Sequence, residues 1–147
     1  RHWRLHTFFV KLYNLLLISS ENKFFKSIVG VSWITNRIFS VDIDLFAAVV
    51  NLNKGEIHSI SKGDQDSIFI KNNFIEVTNL NYIEAGLTEL PDLSNCKLKL
   101  MFHATNKFIN KELSMDELIG IEYKNANRPS IDVRHNFCRC KYPGFSS

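Results

Sequence analysis

The sequence predicts one α+β domain, with helices packed on one face of a mostly antiparallel or mixed sheet. Apolar residues recur at helical spacing near the start of the chain and again after residue 106, and between them they alternate with polar residues in several short stretches. The chain has 147 residues, 45% of them hydrophobic, which is enough for a domain that needs no metal or disulfide. We expect this domain over residues 1–124 and an irregular C-terminal tail over 125–147.

The first element is predicted to be an amphipathic helix over residues 3–19. Its apolar positions share one helical face: Leu5, Phe8, Phe9, Leu12, Leu15, Leu16 and Leu17. The first twenty residues hold three basic and no acidic residues, so the net charge of +3 lies there and the remaining charges cancel. This composition is also typical of an organellar transit segment, but a helix packed on the core is the favoured interpretation. Because Lys11 and Asn14 interrupt it, the stretch is too short to span a membrane.

The middle of the chain is predicted to be mainly extended, because β-branched and aromatic residues are frequent there. The expected strands occupy residues 24–34, 38–52, 56–60, 67–70, 74–77 and 97–102. Asn53-Lys54-Gly55 predicts a hairpin turn, and residues 35–37 and 62–66 predict a turn and a polar loop. Residues 79–95 predict a loop with at most one helical turn, since they contain Gly86 and Pro91.

The last predicted helix covers residues 106–119, and Gly120 is expected to close it as a C-terminal capping residue. A short extended piece is expected over residues 121–124. The polar stretch that follows, with Pro129, Pro143 and Gly144, predicts no regular structure.

Two enzyme patterns are present in weak form. Asp92 after a proline, with Glu122 and Lys124, is similar to the motif of PD-(D/E)xK nucleases, in which two acids hold Mg²⁺ and the lysine helps to activate water. Asp42 and Asp44 could share a metal as in nucleotidyltransferases, but alternation along a half-exposed strand explains them equally well. Neither pattern comes with the surroundings that its chemistry needs.

The cysteines do not predict a disulfide or metal framework. Cys96, Cys138 and Cys140 are an odd number, which favours a reducing compartment, and they lack the usual C-x₂-C spacing of zinc sites. A metal site that combines His135 with Cys138 and Cys140 would need a distant fourth ligand. We therefore expect no cofactor and no metal.

One longer pattern covers residues 112–125, which read Glu-Leu-Ser-Met-Asp-Glu-Leu-Ile-Gly-Ile-Glu-Tyr-Lys-Asn. This stretch resembles the signature of the small peripheral-arm subunit of respiratory complex I, the 30 kDa-type subunit of NADH-quinone oxidoreductase. That signature reads Glu-Arg-Glu, two variable residues, Asp-Met-Phe-Gly-Ile, any residue, Phe, any residue and Asn-His-Pro. The positions that match or are conservatively replaced are Glu112, Glu117, Gly120, Ile121, Tyr123 and Asn125.

Outside this stretch, the order of the predicted elements is similar to that of the family, but few residues are identical. The family has an initial helix, an extended segment, a strand, an Asn-containing turn and a returning strand, for which Val41 to Ile60 would supply the last three. Ser114 replaces the second Glu of the signature, the His-Pro-Asp-Leu-Arg-Arg stretch is not recognisable after Asn125, and residues 79–95 would be an insertion.

The resemblance implies a subunit without catalytic residues or cofactors of its own, which packs against other protein subunits beside the quinone site of an NADH:ubiquinone oxidoreductase. It also implies a location on the matrix side of the mitochondrial inner membrane, or on the cytoplasmic face of a bacterial membrane, without a membrane span or a nucleic-acid partner. The interface would include Glu112, Glu117, Gly120, Tyr123 and Asn125. Two alternatives stay open: the Mg²⁺-dependent nuclease and a small binding or immunity-type domain.

Overall fold

The computed structural model describes the backbone of residues 2–50 and 67–126, and the side-chain environment of residues 8–50 and 67–121. Within these ranges the helices are α1 (His2–Glu21), α2 (Lys23–Val29), α3 (Ile43–Val50), α4 (Ile68–Lys71) and α5 (Met115–Ala126). The strands are β1 (Val31–Trp33), β2 (Phe39–Asp42), β3 (Phe74–Glu76) and β4 (Leu98–His103). The predicted α+β class is therefore confirmed.

The first helix forms where the sequence predicts it and packs on the core. Phe9, Leu12 and Leu16 are fully buried, and their spacing places them on one helical face. None of the helices in the described ranges is long and apolar enough to cross a membrane.

The second helix replaces the first half of the strand that we expected over residues 24–34, so that prediction is wrong for Lys23–Val29. Two caps explain the helix. The Asn22 side chain accepts a hydrogen bond from the N–H of Phe24 at 2.9 Å, and the N–H of Gly30 donates to the carbonyl of Lys26 at 3.0 Å. Gly30 has φ +80°, the left-handed conformation that commonly ends a helix. Only Val31–Trp33 is extended there.

The four strands form one antiparallel sheet in the order β1-β2-β4-β3. The register pairs Val31 with Val41, Phe39 with Met101 and Phe74 with His103. Residues 34–37 make the predicted turn between β1 and β2, and β4 matches the strand expected over 97–102 to within a residue at each end.

The two faces of the sheet are covered differently. The face that carries Phe39, Phe74 and Met101 packs against α1, α3, α4 and α5 and forms a core rich in phenylalanine. Phe74 lies near its centre, with ring centroids 5.4–6.0 Å from five other phenylalanines. Among the described residues the helices therefore lie on one face, as predicted.

The opposite face is covered by the irregular segment after β3. Val77 and Ala85 from this segment pack on Ile38 and Phe102 in a small second core. The Arg37 guanidinium lies 4.7 Å from the ring centroid of Phe102 and donates to the carbonyl of Glu84 at 3.0 Å. The predicted loop over residues 79–95 is confirmed, and it has the structural role of covering the sheet.

Two further elements differ from the prediction, and a third predicted region lies outside the described residues. The strand expected over 38–52 ends at Asp42, because the Asp42 side chain accepts from the N–H of Leu45 at 3.2 Å and starts α3. The strand expected over 67–70 is helix α4, which Ser67 caps by accepting from the N–H of Phe69 at 3.1 Å. The hairpin and returning strand expected over residues 53–60 lie outside the described residues, as does the loop at 62–66.

The last helix begins and ends later than predicted. It starts at Met115 rather than residue 106, includes Gly120 in its interior, and continues through residues 121–124, where we expected an extended piece. The helix ends at Ala126, two residues into the segment that we expected to be an irregular tail. Residues 127–147, which include most of the predicted tail, are not among the described residues.

Candidate interaction site

A reciprocal pair of hydrogen bonds begins α5, inside the stretch that resembles the complex I signature. The N–H of Glu117 donates to the Ser114 hydroxyl at 3.1 Å, and the N–H of Ser114 donates to the Glu117 carboxylate at 2.9 Å. This is a capping box, which satisfies two backbone donors that the helix start would otherwise leave open. The hydrogen bond from Ser114 lowers the pKa of Glu117 from its ordinary value, and Lys111 adds a smaller contribution.

The segment before α5 is tied to α1 by Tyr13. The Tyr13 hydroxyl donates to the carbonyl of Lys111 at 3.1 Å and accepts from the buried N–H of Leu113 at 2.9 Å. Leu113, Leu118 and Ile121 are buried in the core on the helical face of the sheet. These contacts fix how α5 lies on the domain and which of its residues reach the surface.

Gly120 lies on the exposed side of α5 and has no described structural reason to be glycine. A Cβ built at this position would meet nothing within 4 Å. A glycine in a helix interior costs about 0.5–1 kcal/mol relative to alanine. Since the described fold leaves room for a side chain, a close approach from outside would account for the glycine.

A groove runs beside Gly120, with a volume of about 340 Å³. This size is at the lower end of the range for ligand sites, about 300–1,000 Å³. Its lining comes from the β3 and β4 ends, the connection between β4 and α5, and α5 itself: Asn73, His103, Thr105, Asn106, Lys107, Lys111, Leu113, Glu117, Gly120 and Ile121.

Asn73, which is among the lining residues, has a side-chain oxygen that is buried within the fold. It lies in the tight turn between α4 and β3 with φ +63°, which asparagine tolerates better than most residues. Its backbone N–H donates to the carbonyl of Ile70, and its carbonyl accepts from the N–H of Ala104, both at 2.9 Å. Its side-chain Oδ1, however, is buried and has no hydrogen-bond partner among the described residues. An unsatisfied buried acceptor costs about 1–3 kcal/mol.

His103, also in the lining, has both ring nitrogens engaged within the fold. Nδ1 accepts from the N–H of Thr105 at 3.2 Å, so the proton is assigned to Nε2, which lies 3.0 Å from the carbonyl of Asn72. The side chain is 1% exposed, and its ring centroid is 4.8 Å from that of Phe74. These contacts give His103 a structural role at the base of the groove.

A second surface feature lies at the α1–α2 corner. Five large apolar side chains are exposed within twelve residues, and we call them the corner patch: Leu17, Ile18, Phe24, Phe25 and Ile28. Phe24 is the most exposed of them at 67%, and its ring centroid lies 6.0 Å from that of Phe25. The exposed Lys23 and Lys26 lie in the same helix.

The residues predicted for a nuclease do not share the expected strand setting. Glu122 and Lys124 lie on helix α5, not at the end of a strand. Asp92 is exposed in the irregular segment, where its carboxylate accepts from the N–H and the hydroxyl of Ser94 at 3.0 and 2.7 Å. These bonds lower the pKa of Asp92. No group of three or more acidic, histidine or cysteine residues in the described part of the chain could hold a metal ion.

The second acidic pair, Asp42 and Asp44, has roles in the local structure. Asp42 starts α3, and the Asp44 carboxylate lies 2.9 Å from Lys97 Nζ in an exposed ion pair that raises the pKa of Lys97. Cys96 is a free, exposed thiol. Cys138 and Cys140 lie outside the described residues.

The predicted interface residues are placed in or beside α5. Glu112 lies just before the helix and is exposed, Glu117 forms the capping box, and Gly120 borders the groove. Tyr123 and Asn125 belong to the last two turns of α5, where the structure describes the backbone but not the side-chain surroundings.

The sequence analysis did not predict Asn73, Lys107 or Lys111 as site residues. The corner patch did carry a signal, the Phe24-Phe25 pair in a stretch that is otherwise polar.

Comparison of the chain with protein-family models, with curated proteins and with solved structures finds no match in any of the three.

Proposed function

We propose that this chain is a non-catalytic accessory subunit of the respiratory complex I peripheral arm, which stabilises the assembly near the quinone-site subunit. The family is suggested by the resemblance of residues 112–125 to the signature of that subunit. The chain would lie at the matrix side of the mitochondrial inner membrane, or at the cytoplasmic face of a bacterial membrane. No membrane-spanning helix is found among the described residues.

The observation that carries a role in assembly is the corner patch. Scattered apolar residues are normal on a protein surface, but five large exposed apolar residues within twelve positions, two of them in ring contact, are more typical of a protein–protein interface. The cluster contains two phenylalanines, a residue type enriched in the cores of interfaces. Its exposure in the free chain supports a partner subunit that covers it.

Gly120 adds support from the signature segment itself. Among the described residues the space at this helical position is open, so nothing described within the chain requires a glycine there, and close contact with a neighbouring subunit would account for it. Two separate surfaces thus fit contact with other subunits.

The test is co-purification from solubilised membranes of cells that express the tagged full-length chain. We expect complex I peripheral-arm subunits, identified by mass spectrometry, to accompany the wild-type chain. A variant with Phe24→Ser and Phe25→Ser should recover much less of them. The matched control is Ile83→Ser, since Ile83 is 69% exposed in the irregular segment, away from the patch.

A wild-type chain that behaves as a free monomer and never accompanies the respiratory arm would refute this function and would favour the small binding or immunity-type domain. The nuclease alternative makes a different prediction, Mg²⁺-dependent cleavage of plasmid DNA that is lost in Glu122→Ala. No observation on the described residues favours it over the assembly role.

A further inference from the structure

A second groove adjoins the corner patch and has a volume of about 390 Å³. Its walls come from the C-terminal half of α1, from β1 and from residues 110–112. Tyr13, Leu17 and Trp33 supply its apolar surface. Leu17 is also a member of the corner patch and is 42% exposed, so the groove and the patch meet at this residue. A partner that covers the patch would therefore also have an apolar groove within reach.

The shape of the groove favours a helix as the occupant. The groove follows α1 from Tyr13 to Glu21, which is about 12 Å of helix axis at 1.5 Å per residue and matches about two turns of a second helix. On the wall formed by residues 110–112, the N–H of Asn110 donates to the carbonyl of Asn36 at 2.7 Å, and the carbonyl of Lys111 accepts from the Tyr13 hydroxyl at 3.1 Å. A strand that adds to a surface needs open backbone groups, whereas a helix is recognised through its side chains, so this wall suits a helix better.

The charges beside the patch favour acidic residues on the part of the occupant that covers α2. Helix α2 has two exposed basic residues, Lys23 and Lys26, and no acidic residue. The lining of the groove is mixed in sign, with Glu21, Lys111 and Glu112. Charges at the edge of an interface set orientation and association rate more than affinity. The apolar contacts should therefore supply most of the affinity, and the lysines should fix the orientation of the occupant.

We propose that the corner patch and this groove together bind an amphipathic helix of a neighbouring subunit. The apolar face of that helix covers the phenylalanines of α2 and places one large apolar side chain in the groove, against Leu17 and Trp33. Acidic side chains at the edge of the helix pair with Lys23 and Lys26. The proposal rests on the proposed function, because it takes the occupant to be a subunit of the assembly.

The experiment is photo-cross-linking in intact cells that express the tagged full-length chain. The photoreactive amino acid p-benzoylphenylalanine replaces Phe24, whose side chain is 67% exposed, and the cross-linked peptides are identified by mass spectrometry. We expect a segment of a partner subunit with apolar residues at helical spacing and more acidic than basic residues. The same photoreactive amino acid at position 83, where Ile83 is 69% exposed in the irregular segment, should not capture this segment.

Two pairs of variants test the groove and the lysines separately, with the yield of the cross-link from position 24 as the readout. Leu17→Ser should lower the yield at least about fivefold, whereas Leu98→Ser, at a leucine that is 45% exposed on β4, should leave it unchanged. Lys23→Glu should lower the yield about twofold or more, and Lys107→Glu, which makes the same change at an exposed lysine outside the patch, should not.

The outcomes separate failure of this inference from failure of the proposed function. A segment of the respiratory arm without the amphipathic, acidic pattern would overturn the inference and leave the assembly role intact. An amphipathic acidic helix from a protein outside the arm would support the docking surface and refute the proposed function. A lipid adduct, a link to a second copy of the chain, no cross-link at position 24, or equal yields from Leu17→Ser and Leu98→Ser would overturn the inference.

Discussion

Substitution of Gly30 by alanine should destabilise the domain more than the same change at other described glycines. Gly30 has φ +80°, in which an L-residue costs about 1–2 kcal/mol. Its added Cβ would lie 2.7 Å from the Cβ of Leu45 and 2.9 Å from the backbone nitrogen of Phe46. Neither atom is the end of a flexible side chain, so α3 must shift, which adds about 1–3 kcal/mol. The expected total loss is about 2–5 kcal/mol.

Two other glycines serve as matched controls for this reasoning. Gly86 also has a positive φ, +108°, but a Cβ there meets nothing within 4 Å, so Gly86→Ala should lose only the conformational part, about 1–2 kcal/mol. Gly120 has open space and helical geometry, so Gly120→Ala should stabilise the isolated chain by about 0.5–1 kcal/mol.

The assay is urea unfolding of each full-length variant, followed by tryptophan fluorescence. Trp33 reports on the core because its ring packs on Phe39 and Phe108. The midpoints should rank Gly120→Ala above wild type, then Gly86→Ala, then Gly30→Ala, with unchanged slopes. A Gly30→Ala midpoint equal to or above that of Gly86→Ala would refute the claim that close contact with α3 requires glycine at this position.

Three more changes test how the core and the start of α5 are held. Tyr13→Phe leaves the buried N–H of Leu113 without its acceptor and should cost about 1–3 kcal/mol in urea unfolding. Phe74→Ala removes a central ring of the core and should cost about 3–5 kcal/mol by the same assay. The lowered pKa of Glu117 means that its carboxylate stabilises the fold above its unfolded pKa, and that this contribution is lost as pH falls through the folded pKa. The stability difference between wild type and Glu117→Gln should thus be constant near neutral pH and shrink below about pH 4.5; a difference that grows on acidification would contradict the capping-box interpretation.

The sequence predicted the elements whose apolar pattern has one dominant period. Helix α1 and strand β4 show clear helical and alternating patterns, and both form close to the expected residues. The error at Ile43–Val50 has a physical cause, because this run is apolar with little alternation and fits a buried strand or a buried helix. Asp42 decides between them, since its side chain caps the helix.

The candidate site was predictable only in part. Gly120 was selected because of the resemblance, and the structure places it beside the groove. The contribution of Asn73 depends on a turn conformation and on the residues that surround its side chain, which no local pattern encodes. Lys107 and Lys111 lie in a segment that we expected to be helical, and its irregular path brings both into the lining of the groove.

The residues that match the signature do not support the assembly role equally. Glu117 occupies the position of an acid in the family pattern, but its hydrogen bond with Ser114 explains an acid there by local folding alone. Ile121 is buried in the core, so its apolar character is explained in the same way. Gly120 has no such explanation within the described fold. It is therefore the position at which folding and assembly should respond in opposite directions, since Gly120→Ala should raise the stability of the isolated chain and weaken its recovery with partner subunits.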